Sequence, residues 1–163
     1  MQPDDPRREW LPYRAGDPPR TTPDDPHRQL TQIAPIEMQD ALVERGRLLS
    51  GTYVAPSLIS VPGSRAFVLD DSSPTPESEV FMTGREYAHI HPSYDGSLHM
   101  VLPPHLVRQV VERGWGEQHP VARMGLIPMN TLMVYGPRDE AELDVVFMLL
   151  KTSYGYARGD RAG

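Results

Sequence analysis

The chain has 163 residues, of which 39% are hydrophobic and 23% charged. That is room for one globular domain able to bury about 70% of its unfolded surface. Cysteine is absent, which excludes disulfides, zinc–thiolate centres, iron–sulfur clusters and a thiol nucleophile. Its 22 acids against 16 bases give a net charge of −6 with neutral histidines, so the broad basic face of a nucleic-acid binder is missing. No apolar run approaches the ~20 residues of a membrane span. The opening segment, MQPDDPRREW, has no apolar signal-peptide core. These features predict a cytoplasmic protein that binds neither nucleic acid nor membrane.

Residues 1–26 carry seven of the eighteen prolines, interleaved with Asp and Arg. This composition predicts an extended arm, disordered over 1–9, with Trp10 and Tyr13 marking a part that packs on the domain. Met38, Ala41, Leu42, Leu48 and Leu49 recur at helical spacing, predicting a helix over 36–49. Pro35 suits its first turn and Gly51 its stop. Strands follow over 54–61, interrupted by Pro56, and over 65–69; 70–79 reads as a loop and 80–82 as an edge strand. Two strands, 86–91 and 97–102, flank a five-residue loop ending in Asp95-Gly96, a strong hairpin signal. Pro103-Pro104 opens a helix with Leu106, Val107, Val110 and Val111 on its apolar face, closed by Gly114. Residues 114–120 read as a loop, 131–135 as a strand, and 139–153 as a last helix. Acids in that helix's first turns suit the helix dipole. The fold class is α+β: a mostly antiparallel sheet with a central histidine-bearing hairpin, packed against about three helices. The domain is expected over 10–157, with a flexible tail over 158–163.

Side chains alternate between the two faces of a strand. Tyr87, His89 and His91 fall on one face of the first hairpin strand, and Ala88 and Ile90 on the other. In the second strand, Leu98, Met100 and Leu102 share a face opposite Ser97, His99 and Val101. Symmetric closure of the loop pairs His91 with Ser97 and His89 with His99. Both apolar sets then meet the core, and the three histidines gather on the opposite face. Such a cluster can ligate a divalent metal, with Asp95 as an added carboxylate, or carry protons, or donate to an anion. It can also be a polar, solvated face. Trp115, between two glycines, either lines an aromatic pocket or plugs the core edge. Arg138, at a helix N-terminus, opposes the dipole and needs Asp139, Glu142 or an anionic ligand as partner.

Four motifs occur in order: Arg85-Glu-Tyr-Ala-His-Ile-His, Asp95-Gly-Ser-Leu-His99, Gly114-Trp-Gly-Glu-Gln-His-Pro120 and Tyr135-Gly-Pro-Arg138. In order and spacing they resemble the fungal luciferase family, including its short bacterial luciferase-domain proteins. The likeness extends upstream through Leu11-Pro-Tyr-Arg-Ala-Gly and Pro26-His-Arg-Gln29. The resemblance implies an oxygen-dependent oxidoreductase acting on an enolisable aromatic or pyrone-like small molecule, with no flavin or nicotinamide. It implies catalytic roles for His89, His91, His99, Asp95, His119 and Arg138, and ring contacts for Tyr87, Trp115 and Tyr135. A divalent metal on His89, His91 and His99 is compatible with it. The chain departs from the fungal pattern at Pro92 (an acid there), Gly96 (Cys) and Glu117 (Gln). Substrates diverge within a retained fold, so light emission does not follow from the likeness. The alternative is a non-catalytic module that binds a small molecule or a metal through the same histidine face.

Overall fold

The computed structural model describes residues 10–72 and 80–160. The expected disordered segment 1–9 lies outside the described residues, as do 161–163 of the expected tail. Helix α1 (Ile36–Arg47) leads into strands β1 (Thr52–Pro56), β2 (Arg65–Leu69), β3 (Glu86–Ile90) and β4 (Leu98–Val101). Helix α2 (Pro104–Glu112), strand β5 (Gly116–Gln118), the short helix α3 (Pro120–Arg123), strand β6 (Thr131–Val134) and helix α4 (Glu140–Ala157) complete the chain. The strands form one six-stranded sheet, ordered β1-β2-β3-β4-β6-β5, with every neighbouring pair antiparallel.

Alternation along the central strands builds the core. Ala88, Ile90, Leu98, Met100, Leu132 and Val134 are fully buried in the same cluster as Leu42 and Val43 of α1 and Val146, Leu149 and Leu150 of α4. Each large aliphatic side chain buried there is worth about 1.5–3 kcal/mol relative to exposure. Helix α1 approaches the sheet through Gly46, where a Cβ would lie 2.3 Å from the Phe67 ring. Ser153 of α4 donates to the Val101 carbonyl at 2.7 Å, tying the helix to the sheet.

One strand lies within a segment read as a loop, and a short helix follows it in a stretch given no assignment. The 114–120 segment contains β5 and leads into α3, so four helices rather than three surround the sheet. The signal was masked because a three-residue strand is too short for any periodicity. Residues 80–82 form no strand; Met82 instead donates its N–H to the Glu86 carbonyl across a turn. Helix α4 runs past 153 because Tyr154 and Ala157 continue its buried face. No helix among the described residues is long and apolar enough to cross a membrane.

The N-terminal arm packs against the domain. Trp10 donates through Nε1 to Gln109, Leu11 is fully buried, and Arg14 N–H bonds the Arg113 carbonyl. Further on, Gln29 N–H donates to Asp95 Oδ2 at 3.2 Å, and Gly136 N–H donates to Gln29 Oε1. The arm thus ties to the β3–β4 loop and to the segment leading into α4. It also carries a histidine onto the sheet face opposite α4.

Candidate functional site

The hairpin register is the one that alternation demands. His89 pairs with His99 and Ile90 with Leu98, and His91 N–H donates to the Ser97 carbonyl. The turn is closed by Asp95 and Gly96 N–H groups on the Pro92 carbonyl. Gly96 has φ +71°, and a Cβ there would meet the Gln39 side chain at 2.5 Å, so glycine is required twice over.

Five imidazoles meet on this face: His89, His91 and His99 from the hairpin, His27 from the arm, and His119 at the N-cap of α3. All are buried, His27 to 2% exposure and His99 to 3%. His99 is the hub. Its Nδ1 lies 3.1 Å from Nε2 of both His89 and His91, and its Nε2 lies 3.1 Å from His27 Nδ1.

Acceptors behind the rings fix where the protons sit. His89 Nδ1 is 2.8 Å from Glu86 Oε2, which also accepts from Ser57. His91 Nδ1 is 2.9 Å from Ser97 Oγ and 3.2 Å from Asp95 Oδ2, and the other Asp95 oxygen accepts from the Ser97 N–H and hydroxyl. His27 Nε2 is 2.9 Å from Glu117 Oε2, and Glu117 also accepts from Thr21 and Tyr135. A carboxylate takes an N–H. These rings therefore present bare nitrogens inward: Nε2 of His89 and His91, and Nδ1 of His27. His119 is the reverse. Its Nδ1 accepts the Val121 N–H at 3.0 Å, so neutral His119 carries its proton on Nε2.

Burial sets the charge state. Desolvation holds His99 well below its ordinary pKa, and the four neighbouring imidazoles push in the same direction. Desolvation also lowers His89, against the opposing hydrogen bond to Glu86. His119 falls to about 4, through desolvation first and the other imidazoles second. For Asp95, burial raises the pKa, but the His91 and Ser97 hydrogen bonds outweigh it and the net shift is downward. Glu117 follows the same logic with His27, Thr21 and Tyr135. Within the cluster, burial thus favours the neutral form of His89, His99 and His119, while hydrogen bonds favour the ionised form of Asp95 and Glu117.

Two overlapping trios have donor atoms close enough to hold a metal ion: His89, His91 and His99, and His27, His99 and His119. Proton accounting favours the first. With a cation at His99 Nδ1, His99 Nε2 keeps its proton and donates to His27 Nδ1, and His27 Nε2 donates to Glu117. Every hydrogen bond then has one donor and one acceptor. Three nitrogens at about 2.1 Å from one ion lie ~3.0–3.4 Å apart, and the 3.1 Å separations at His99 Nδ1 suit that. The second trio is compromised, because His119 uses its lone pair on Val121. The carboxylate-backed histidine is the arrangement that orients metal ligands and fixes their tautomer.

A cavity of about 140 Å³ opens over the cluster. His89, His91, His99 and His119 line it together with His27, Arg28 and the apolar Ile59, Val61, Met82, Val121 and Ile127.

The structure thus brings together His89, His91, His99 and His119 of the expected site. Asp95 stands behind His91 on the side away from the cluster, as an orienting group rather than a ligand. Tyr135 stands behind Glu117 through its hydroxyl. Three expected residues lie elsewhere. Tyr87 is in the core beside Phe67 and Tyr154, because the β2–β3 register shifts between Phe67 and Val68, pairing Val68 with Glu86 and Phe67 with Ala88. The bulge turns Tyr87 to the core and puts Glu86 on the histidine face. Trp115 plugs the core edge, 3% exposed, with Nε1 donating to the Pro12 carbonyl. Arg138 grips Glu142 through Nε and Nη2 and reaches Gln32 and the Ala15 carbonyl, so its ion-pair partner is Glu142. Sequence reasoning missed His27 and Glu86 as members of the site. His27 sits in the Pro26-His-Arg-Gln29 motif; Glu86 was concealed by the bulge.

Fold and site together define an α+β domain whose sheet carries a buried histidine cluster at the floor of a small cavity. Residues 84–153 match the luciferase domain family. The chain is 33% identical to a luciferase of Neonothopanus nambi and to one of Armillaria mellea, and 34% identical to one of Armillaria gallica. Each alignment covers 96% of this chain and 66% of the relative, so the chain spans just under two thirds of the length of those proteins. No solved structure matches. The chain belongs to the fungal luciferase family.

Proposed function

We propose that the protein is an oxygen-dependent oxidoreductase acting on an enolisable aromatic or pyrone-like small molecule, with the histidine cluster as its chemical centre. The observation that carries this reading is the convergence of imidazole nitrogens beneath a cavity, with His89, His91 and His27 each backed by a carboxylate and His99 backed by His27. Family membership supports the reaction class. His89, His91 and His99 are the residues that would hold a divalent ion. Such an ion supplies Lewis-acid stabilisation of an enolate oxygen.

The remaining work falls to the chain itself. His119 Nε2–H is a neutral donor, suited to an oxyanion developing over the floor. The enolate carbon supplies an electron pair, dioxygen accepts it, and a carbon–oxygen bond forms. The proton released by the enol hydroxyl ends on the distal peroxide oxygen, leaving a hydroperoxide beside a new carbonyl, while His119 keeps its Nε2 proton and serves only as a hydrogen-bond donor. The substrate is the reductant, so the reaction balances without flavin or nicotinamide. The His99–His27–Glu117 line holds the hub in one tautomer throughout.

The test is elemental analysis of protein purified without a histidine tag, beside oxygen uptake with monocyclic hydroxypyrones. Near-stoichiometric divalent metal is expected in the wild type. His89→Ala and His99→Ala should lose both metal and turnover while keeping the far-ultraviolet circular dichroism spectrum. Full oxygen uptake in both variants would refute the site. Ligand-induced stabilisation without any uptake would make the protein a binding module instead.

A further inference from the structure

We infer that Arg28 is the anion-recognising residue of the cavity, selecting a molecule that presents one six-membered ring to the histidines with a carboxylate or enolate oxyanion at its edge. This rests on the cavity being a substrate site.

Arg28 follows His27 in the arm, and both line the cavity. Its backbone is pinned in both directions: its N–H donates to Thr22 Oγ1 at 2.8 Å, and its carbonyl accepts the Thr22 N–H at 3.0 Å. The guanidinium carbon lies 5.0 Å from the centre of the Tyr94 ring, which holds the group in place. Yet its Nε is shut off from solvent with no hydrogen-bond partner. Arg14 and Arg158 also have an unpartnered Nε, but each makes a hydrogen bond through another guanidinium nitrogen. Among the described residues, the Arg28 guanidinium makes neither a hydrogen bond nor an ion pair.

A buried guanidinium N–H without an acceptor carries a desolvation cost. Its planar fork of donors fits an oxyanion such as carboxylate. Among the residues lining the cavity, Arg28 is the one fixed cation, and Asp25, the one acid, is exposed. Size narrows the ligand further. The cavity holds about 140 Å³, close to the ~150 Å³ of an engineered protein cavity that accepts benzene. One ring fits; a second must lie outside, along Ile59 and Ile127.

Calorimetry on the full chain tests this, using benzoate, a monocyclic hydroxypyrone and neutral benzamide. At least one of the two anions should bind the wild type ~10- to 100-fold more tightly than benzamide, the range for a charge-assisted contact. Arg28→Gln should abolish that preference, and Arg28→Lys should restore part of it. Preference for benzoate alone identifies a carboxylate, and for the pyrone alone an enolate. The inference is overturned if neither anion outbinds benzamide, or if the preference survives in Arg28→Gln. Arg28-dependent binding without oxygen uptake would remove the oxygenase reading and leave this one standing. Unchanged oxygen uptake in Arg28→Gln would do the opposite.

Discussion

Tyr87 and His119 are single residues whose surroundings reverse what their positions suggest. Tyr87 has the strand parity of His89 but the environment of a core residue, with its hydroxyl 2.8 Å from Thr52 Oγ1. Tyr87→Phe should cost about 1 kcal/mol in urea unfolding, the worth of one hydrogen bond, and leave ligand affinity at the cavity unchanged. A loss of affinity would return Tyr87 to the site. His119 stays neutral in the fold, with a pKa of about 4 against an ordinary 6.5. The unfolded chain takes up a proton below pH ~6.5 and the folded chain does not, so stability falls as pH drops from ~6.5 towards 4. His89 and His99 shift the same way. His119→Asn keeps an acceptor for the Val121 N–H and removes the titration. Its urea midpoint should therefore fall less between pH 7 and pH 5 than that of the wild type; an equal fall would exclude His119 as a source.

Elements were legible where hydrophobic period and turn chemistry agreed. The β3–β4 register followed from two apolar sets and one Asp-Gly turn, α1 and α2 from their apolar spacing, and α4 from an apolar run opened by acids. A bulge leaves no trace in that alternation, since it needs only one extra residue, and so Tyr87 and Glu86 exchanged faces. Long-range pairing left no trace either. Nothing near Pro26-His-Arg-Gln29 signals that its histidine meets His99, which is 72 positions away. The start of α4 shows how one element serves another: Asp139 caps the helix on the Glu142 N–H, while Arg138 clamps Glu142 and reaches the arm at Ala15 and Gln32. Arg138→Ala should lower unfolding stability by about 1–2 kcal/mol, after allowance for its partial exposure. Benzoate affinity should hold, because Arg138 does not line the cavity. A selective loss of affinity at unchanged stability would argue for direct substrate contact.

At the scale of the whole molecule, the site is assembled from two kinds of contact. His89, His91 and His99 belong to one hairpin and come together as soon as that hairpin closes. His27 and its acceptor Glu117 are 90 positions apart, and the clamp on Ala15 comes from Arg138, 123 positions on. Loops of this length cost little more to close than shorter ones, but they cannot close before both ends exist. During synthesis the arm leaves the ribosome before the rest of the domain. Yet its own docking sites emerge later and in turn: Asp95 and His99 with the β3–β4 hairpin, Glu117 with β5, and Arg138 only after β6. The proline-rich arm must wait for the β3–β4 hairpin before His27 can meet His99, and for nearly the whole domain before Arg138 can clamp Ala15.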